Sequence, residues 1–349
     1  MFLSIILFLF IFTLIALAHE GGHFVAAKRA GIKVNEFGIG FGPKIWSKEI
    51  NGTTYSISLI PILAYVSVAG MDEVKGIDDA LIPEDQKYFA KPPFQRFKMA
   101  FMGPAMNILL AFITLSLVFG FIGVPRGLSS YIDQVQPNSI AEKAGLKHMD
   151  KIISINGKEI IKMEEAITTI HNNNNKELEL KIQRGNEFIT IKATPKYNQQ
   201  IKAAVLGFTP LSIYEKVNPL QAIYYGAQQT IAMIMLMFII LEKLLTGAVS
   251  VRDLAGPVGI AQITGRYASS GYLSFLQFFA FLNVNIGFLN LLPLPALDGG
   301  HIVFATIEMI TRRRVKETIQ KRIHQWGLIA LLTLMAIVTL NDILRWLRN

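Results

Sequence analysis

The run His19-Glu20-Gly21-Gly22-His23 carries the most explicit chemistry in the chain. On a helix, residues four apart share a face, so His19 and His23 can grip one metal ion. Glu20, about 100° round the same helix, can reach a water on that ion. Zinc is the expected ion, because imidazole and carboxylate donors suit it and it lowers the pKa of a bound water to about 7. Glu20 is then the general base that takes the water's proton and passes it to a leaving amine. A chance match in a soluble helix would need no metal. Here the motif closes an apolar stretch, where a charged group costs about 2.5–3.5 kcal/mol at the centre of a membrane helix unless something uses or neutralises it. The two glycines oppose helix formation by about 1 kcal/mol each, and their missing side chains leave room for a partner helix or a peptide beside the metal.

Two histidines leave a catalytic zinc one protein ligand short. Cysteine is absent, which removes thiolate ligands, thiol nucleophiles and disulfides together. His148, His171, His301 and His324 fall in a polar module or in hydrophilic surroundings. A carboxylate stands in Asn290-Leu-Leu-Pro-Leu-Pro-Ala-Leu-Asp298-Gly-Gly300. Pro293 and Pro295 break a helix there, and unwound backbone at membrane depth is tolerated only where it faces protein or a wet cavity. Asp298 reads either as the third ligand or as an ordinary cap of the next helix.

The surrounding chain is that of a membrane protein. Of 349 residues 52% are apolar and 17% charged, with mean hydropathy +0.40, whereas soluble domains carry roughly 25% charged residues. This argues against a soluble enzyme and against disorder. Lys and Arg number 34 against 25 Asp and Glu, a net charge of +9. In so apolar a chain that surplus marks cytoplasmic loops rather than a nucleic-acid surface. Four spans are expected: residues 2–18 continuing to 27, residues 99–124, residues 275–292, and residues 328–340 extended back towards 323 between Arg322 and Arg345. Ala16-Leu17-Ala18 has the look of a signal-peptide cleavage site, but the positive charges (Lys28, Arg29, Lys33) follow the segment instead of preceding it. It is therefore expected to be a span whose C-terminal end enters the cytoplasm. Within 219–245, Gln228, Gln229, Glu242 and Lys243 bracket only 12 residues, a length suited to an interfacial or re-entrant helix.

Between 124 and 218 the composition becomes that of a soluble module. Residues 131–135 and 151–155 read as strands, and Ser139 as the cap of a short helix ending at Gly145. Asn156-Gly157 is a tight turn, 163–171 a helix, 172–175 a solvated loop, and 177–183 with 187–193 a hairpin.

With these residues in view the chain resembles the site-2 protease family of intramembrane zinc metalloproteases. The likeness is greatest to the bacterial regulator-of-sigma-E type and covers nearly the whole length. It rests on His-Glu-Gly-Gly-His, on Gly103-Pro104-x-x-Asn107 in the second span, and on the Asn290–Gly300 motif; the intervening module resembles a PDZ domain. The resemblance implies a mainly α-helical polytopic membrane protein with a membrane-associated β-hairpin and an inserted α/β PDZ domain. It implies His19, His23 and Asp298 as zinc ligands and Glu20 as the catalytic carboxylate. Asn290, Pro293, Tyr65 and Asn107 become substrate-binding candidates, Asn290 by holding substrate backbone. Residues 55–71 resemble the hairpin that presents substrate as a strand, with Leu63-Ala64-Tyr65-Val66 where Gly-Gly-Tyr-Val is common, and there is room for one PDZ module only. Gly38, Gly40 and Gly42 could let nearby backbone follow the membrane surface.

For Asp298 to meet the histidines, the third span must run inward like the first, which requires that 219–245 does not cross. The basic block Arg312-Arg313-Arg314-Lys316 with Lys321-Arg322 belongs in the cytoplasm on the same arrangement. The expected organisation is residues 1–124 with the zinc motif and hairpin, 125–200 the PDZ domain, 201–272 its C-terminal region with an interfacial helix, and 273–349 the last two spans. The expected activity is cleavage of transmembrane segments, anti-sigma-factor-like proteins or signal-peptide remnants, in the bacterial inner membrane with the PDZ domain periplasmic. Partners are those substrates and the lipid bilayer, with no nucleic acid. In the PDZ module, Arg126-Gly127-Leu128 is a candidate carboxylate-binding loop; a filter against bulky substrates is the alternative role. From other classes, a non-catalytic scaffold recruiting partners through the PDZ domain predicts a four-ligand structural zinc. A metal transporter predicts a continuous polar path, for which the second span offers only Asn107, Thr114 and Ser116.

Overall fold

The computed structural model describes residues 2–71, 81–199, 202–250 and 255–348, with side chains except at Phe2 and 345–348. The expected boundary at 200/201 and the Arg345 side chain lie outside what is described. In chain order the elements are α1 (Phe2–Arg29), β1 (Val34–Ile50), β2 (Thr53–Val68), α2 (Pro93–Phe121), β3 (Val124–Val135), α3 (Ile140–Lys143), β4 (Lys151–Ile155), β5 (Lys158–Glu159), α4 (Met163–Asn172), β6 (Leu178–Arg184), β7 (Glu187–Ala193), β8 (Lys196–Asn198), β9 (Ala203–Val205), β10 (Phe208–Glu215), α5 (Pro219–Leu245), α6 (Pro257–Ser269), α7 (Tyr272–Leu291), α8 (Asp298–Thr311) and α9 (Glu317–Arg348). They form two compact units, residues 1–118 with 223–349, and residues 119–222.

In the first unit, Ile11 and Ile15 of α1 pack with Phe278, Phe279 and Leu282 of α7. Further along both helices, His19 and His23 meet Asp298 just beyond the end of α7. The two helices therefore run in the same direction. Among the described residues five helices are long and apolar enough to cross a membrane: α1, α2, α5, α7 and α9. The fifth is α5, which is 27 residues long instead of the short apolar stretch expected. Its polar residues failed to end it because glutamine is a good helix former and Glu242-Lys243 lie in its last turn. Gly226 packs against Ser116 of α2, and Phe238 meets Phe288 of α7 edge-on at 4.8 Å. Helix α6 lies near the start of α1, with Gly265 against Ser4, and Asp342 of α9 accepts from the Gly259 N–H at 2.8 Å.

The hairpin folds back on itself. Residues 36–39 pair with 54–57 on one side, and 34–39 pair with 64–68 on the other, while 44–50 pair with 53–58. Among the described residues the segment 64–68 pairs on one side only and is thus a sheet edge. Inside the sheet, Glu36 accepts from Ser56 (2.6 Å), Tyr65 (2.8 Å) and Lys44 (2.7 Å). Burial tends to raise its pKa, but these donors outweigh burial and hold its carboxyl below the usual range.

A buried ion pair ties three helices together. Arg96 of α2 and Glu308 of α8, 3% and 1% exposed, face each other. Glu308 also accepts from Gln320 of α9 at 3.1 Å and from the Val315 N–H at 3.2 Å. Neither Arg96 nor Glu308 stood out in the sequence, because nothing local marks two residues 212 positions apart as partners.

The second unit is a sheet in the order β10-β3-β4-β6-β7, with β5 beside β4, over a core that includes Ile132, Ile152, Met163, Leu178 and Leu180. Ser139 caps α3 by accepting from the Glu142 N–H at 3.1 Å. Strands β6 and β7 turn over Gly185-Asn186 as the pattern required. The expected loop Arg126–Leu128 is instead strand, Gly127 opposite Ile213 and Leu128 opposite Ser212, and Arg126 binds Glu215 at 2.6 Å. Pairing with a partner 84 or more residues away overrode the local glycine signal. Because β3 and β10 are antiparallel neighbours, the unit's two ends emerge side by side, as Val124 opposite Glu215.

Replacing Arg96 with Ala leaves Glu308 buried and unpaired, at an expected cost of about 3–5 kcal/mol. Thermal unfolding in detergent should show a clear drop in Tm, largely recovered in an Arg96→Met/Glu308→Met double variant.

Candidate metal centre

The apolar run of α1 carries the His-Glu-Gly-Gly-His turn into the interior of the first unit. Gly22 allows this: a β-carbon there would collide with the Met102 carbonyl of α2, whereas Gly21 faces open space. Across the contact, a β-carbon on Gly103 would overlap the His23 imidazole. The close approach lets His23 Nδ1 donate to the Met99 carbonyl at 2.8 Å, which turns its Nε2 lone pair inward. Asp298 begins α8 after the broken segment 292–297. The helix cap is Leu297, with no side-chain cap bond, so the capping alternative for Asp298 is not realised.

Three side chains converge. His19 Nε2 lies 3.0 Å from Asp298 Oδ2, His23 Nε2 lies 3.3 Å from Asp298 Oδ1, and the two Nε2 atoms are 3.2 Å apart. A tetrahedral zinc with bonds of 2.0–2.1 Å requires ligand–ligand separations of about 3.3 Å. Each imidazole meets a carboxylate oxygen at that spacing, and one donor atom from each of the three side chains lies within 4.8 Å of the others, so the cluster is of a size to close on an ion. Asp298 Oδ2 is buried and, although near His19, lacks the alignment of a hydrogen bond, as expected of an oxygen aimed at a shared cation. Among the described residues no fourth histidine, cysteine or carboxylate joins the cluster, which leaves one coordination position open, the pattern of catalytic sites.

Glu20 lines the same cavity, about 310 Å³, together with the three ligand candidates, Val66, Asn290 and His301. Its Oε2 accepts from the Val66 N–H at 3.2 Å, so the free hairpin edge touches the carboxylate of the motif. Asn107 Nδ2 lies 3.2 Å from His19 Nδ1, while its own Oδ1 is buried without a partner. Turned end for end, the amide oxygen faces His19 Nδ1 and accepts its N–H, which leaves His19 Nε2 for a metal. Asn107 therefore stands behind a histidine rather than at the open cavity. The Tyr65 hydroxyl is taken up by Glu36, so this candidate supports the sheet. Asn290 does line the cavity, its Nδ2 donating to the Ile286 carbonyl at 3.0 Å; Pro293 lies in the broken segment.

The hydrophilic placing expected of His301 and His324 is corrected here. Their rings stack at 3.9 Å, His301 lines the metal cavity, and His324 accepts from the Ala296 N–H at 3.0 Å. Only the His directly after Gly299-Gly300 offered a sequence signal, since three residues on a helix return nearly to the same face.

An inward-facing His-His-Asp cluster beside a half-buried glutamate is the donor set of a zinc metallohydrolase, here among helices of membrane-spanning length. The profile of peptidase family M50 matches residues 7–334, and the chain belongs to that family. It is 32% identical to the regulator of sigma-W protease RasP of Bacillus subtilis, with 98% of each chain covered. It is 31% identical to the zinc metalloprotease RasP of Bacillus licheniformis, covering 98% of this chain and 99% of that one. Among solved structures, the PDZ domain of an SdrC-like protein from Listeria monocytogenes aligns over 26% of this chain and 94% of its own, at 18% identity and a TM-score of 0.22. The protein is an intramembrane zinc metalloprotease and a multi-pass membrane protein.

Gly103→Ala should push His23 aside and lower the zinc retained after purification, while Gly21→Ala, which meets nothing, should retain the wild-type amount. Metal content by atomic absorption checks both.

Proposed function

We propose that His19, His23 and Asp298 hold the zinc, that Glu20 is the general base, and that the substrate is a transmembrane segment of another protein, drawn out as a strand along residues 64–68. The observation that carries this reading is the convergence of the two imidazoles and the Asp298 carboxylate, with contacts of 3.0–3.3 Å, beside Glu20.

Zinc, when bound, supplies Lewis-acid polarisation of the scissile carbonyl and an acidified water. Glu20 takes that water's proton and delivers it to the leaving nitrogen. A helical substrate hides its carbonyls in its own hydrogen bonds and must unwind before attack. The free edge at 64–68 offers backbone partners to an unwound segment by strand addition. The Val66 N–H, which meets Glu20 in this structure, would pass to the incoming strand and leave the carboxylate free for the water. Asn290, on the cavity wall, would hold substrate backbone.

For the topology we propose four crossings, α1, α2, α7 and α9, in the bacterial cytoplasmic membrane. Helices α1 and α7 run the same way, so the chain between them makes an odd number of net crossings. Helix α2 makes one. Helix α6, 13 residues long and so about 20 Å, is too short to return a crossing by α5. Helix α5 enters beside α2 as a re-entrant element, and the chain regains its starting side before α6. On this topology residues 119–222 lie outside the cytoplasm, where a PDZ-type module with adjacent ends would filter out substrates with bulky outer domains. Anti-sigma-factor-like proteins, as the name of the B. subtilis relative suggests, and signal-peptide remnants fit the substrate class.

Glu20→Gln should keep its zinc but slow cleavage of a model transmembrane substrate on the order of 10²–10⁴-fold; unchanged turnover in purified protein would refute the assignment. Replacing residues 124–215 with a short linker should admit full-length substrates that the intact protein excludes; identical selectivity in reconstituted vesicles would rule out the filter.

A further inference from the structure

The Asp298 carboxylate reaches the centre from a segment with little structure of its own. Between the end of α7 and Asp298 the backbone turns through Leu294 N–H to Leu292 carbonyl at 2.6 Å and Leu297 N–H to Leu294 carbonyl at 3.3 Å. Ala296 is held at φ +72°, the left-handed region that costs a non-glycine residue about 1–2 kcal/mol. Such a conformation persists only where the surroundings over-determine it. They do so from α9. The Ala296 N–H donates to His324 Nδ1 at 3.0 Å, Gly327 lies so close to Pro295 that a β-carbon would overlap it, and a β-carbon on Gly300 would come within 2.9 Å of His324 Cε1. Accepting that bond fixes the His324 tautomer, with Nδ1 unprotonated, and stacking on His301 at 3.9 Å sets the ring plane.

We infer that His324 is a positioning residue for the zinc site: its Nδ1 holds the strained Ala296 turn and thereby aims the Asp298 carboxylate two residues later. The inference rests on Asp298 being a zinc ligand. Partners that orient ligands from behind typically change metal affinity 10–100-fold. His324 acts through one backbone hydrogen bond, so the low end, about tenfold, is expected.

The experiment measures zinc affinity of the full-length protein in detergent by competition with a chelator, without substrate. His324→Phe keeps a ring to stack on His301 but has no acceptor; His324→Asn restores an acceptor oxygen near Nδ1. The expected result is about tenfold weaker zinc binding for Phe and near wild-type binding for Asn, with the Ala296 amide exchanging faster with solvent deuterium only in the Phe variant. Wild-type zinc affinity in the Phe variant, or equal loss in both, would overturn the proposal. Should the Phe variant fail to fold, Gly327→Ala attacks the same turn through Pro295 and should also weaken zinc; unchanged affinity there would count against the proposal. Asp298→Ala separates the two levels: if it leaves zinc binding intact, the ligand assignment itself fails, whereas loss of zinc there with an unaffected Phe variant sinks only the role of His324.

Discussion

Three groups, two imidazoles and a carboxylate, meet at 3.0–3.3 Å in a poorly solvated interior, and burying them together needs a positive charge to share, a proton or a metal ion. Helix α1 supplies two from consecutive turns, and the third arrives from a segment about 275 residues later. Everything near the centre serves that meeting. Gly22 and Gly103 let α1 and α2 approach until the Met99 carbonyl can fix one imidazole. Asn107 stands behind the other. The Arg96–Glu308 pair locks α2, α8 and the start of α9 into one frame.

Beside that frame the hairpin solves a different problem. A sheet edge is ordinarily a liability, since its unpaired groups invite other chains. In this protein the edge at 64–68 is spent on α1: the Leu63 N–H donates to the Thr13 hydroxyl at 3.2 Å and the Val66 N–H to Glu20. An edge satisfied by two exchangeable side-chain acceptors can give them up to a better-matched strand. Tyr65 and Glu36 stiffen the sheet behind it, which keeps the edge extended whether or not a partner is present.

The unit at 119–222 is independent in its packing: it has its own apolar core, and its entry and exit strands are hydrogen-bonded neighbours. Such a module can be inserted between two helices without disturbing either. Two departures from sequence expectation have different causes. At residues 126–128 pairing with distant β10 overrode a local glycine signal, whereas in α5 the polar residues did not end the helix because glutamine sustains it and Glu242-Lys243 fall in its last turn.

The sequence alone determined the metal motif, the membrane character and most element types. These follow from side-chain spacing on a 3.6-residue or two-residue period and from the length of apolar runs, properties that need no knowledge of distant neighbours. Even the pairing of Asp298 with the histidines was legible by analogy of motifs. Tertiary structure alone decided that the Asp298 carboxylate meets the histidines instead of capping α8, that Asn107 lies against His19 and Tyr65 against Glu36, and that His301 lines the cavity beside them with His324 stacked on it. Each of these depends on which atoms two remote segments bring within about 3–4 Å, and partners chosen across 28 to 279 residues leave no periodic trace in the chain.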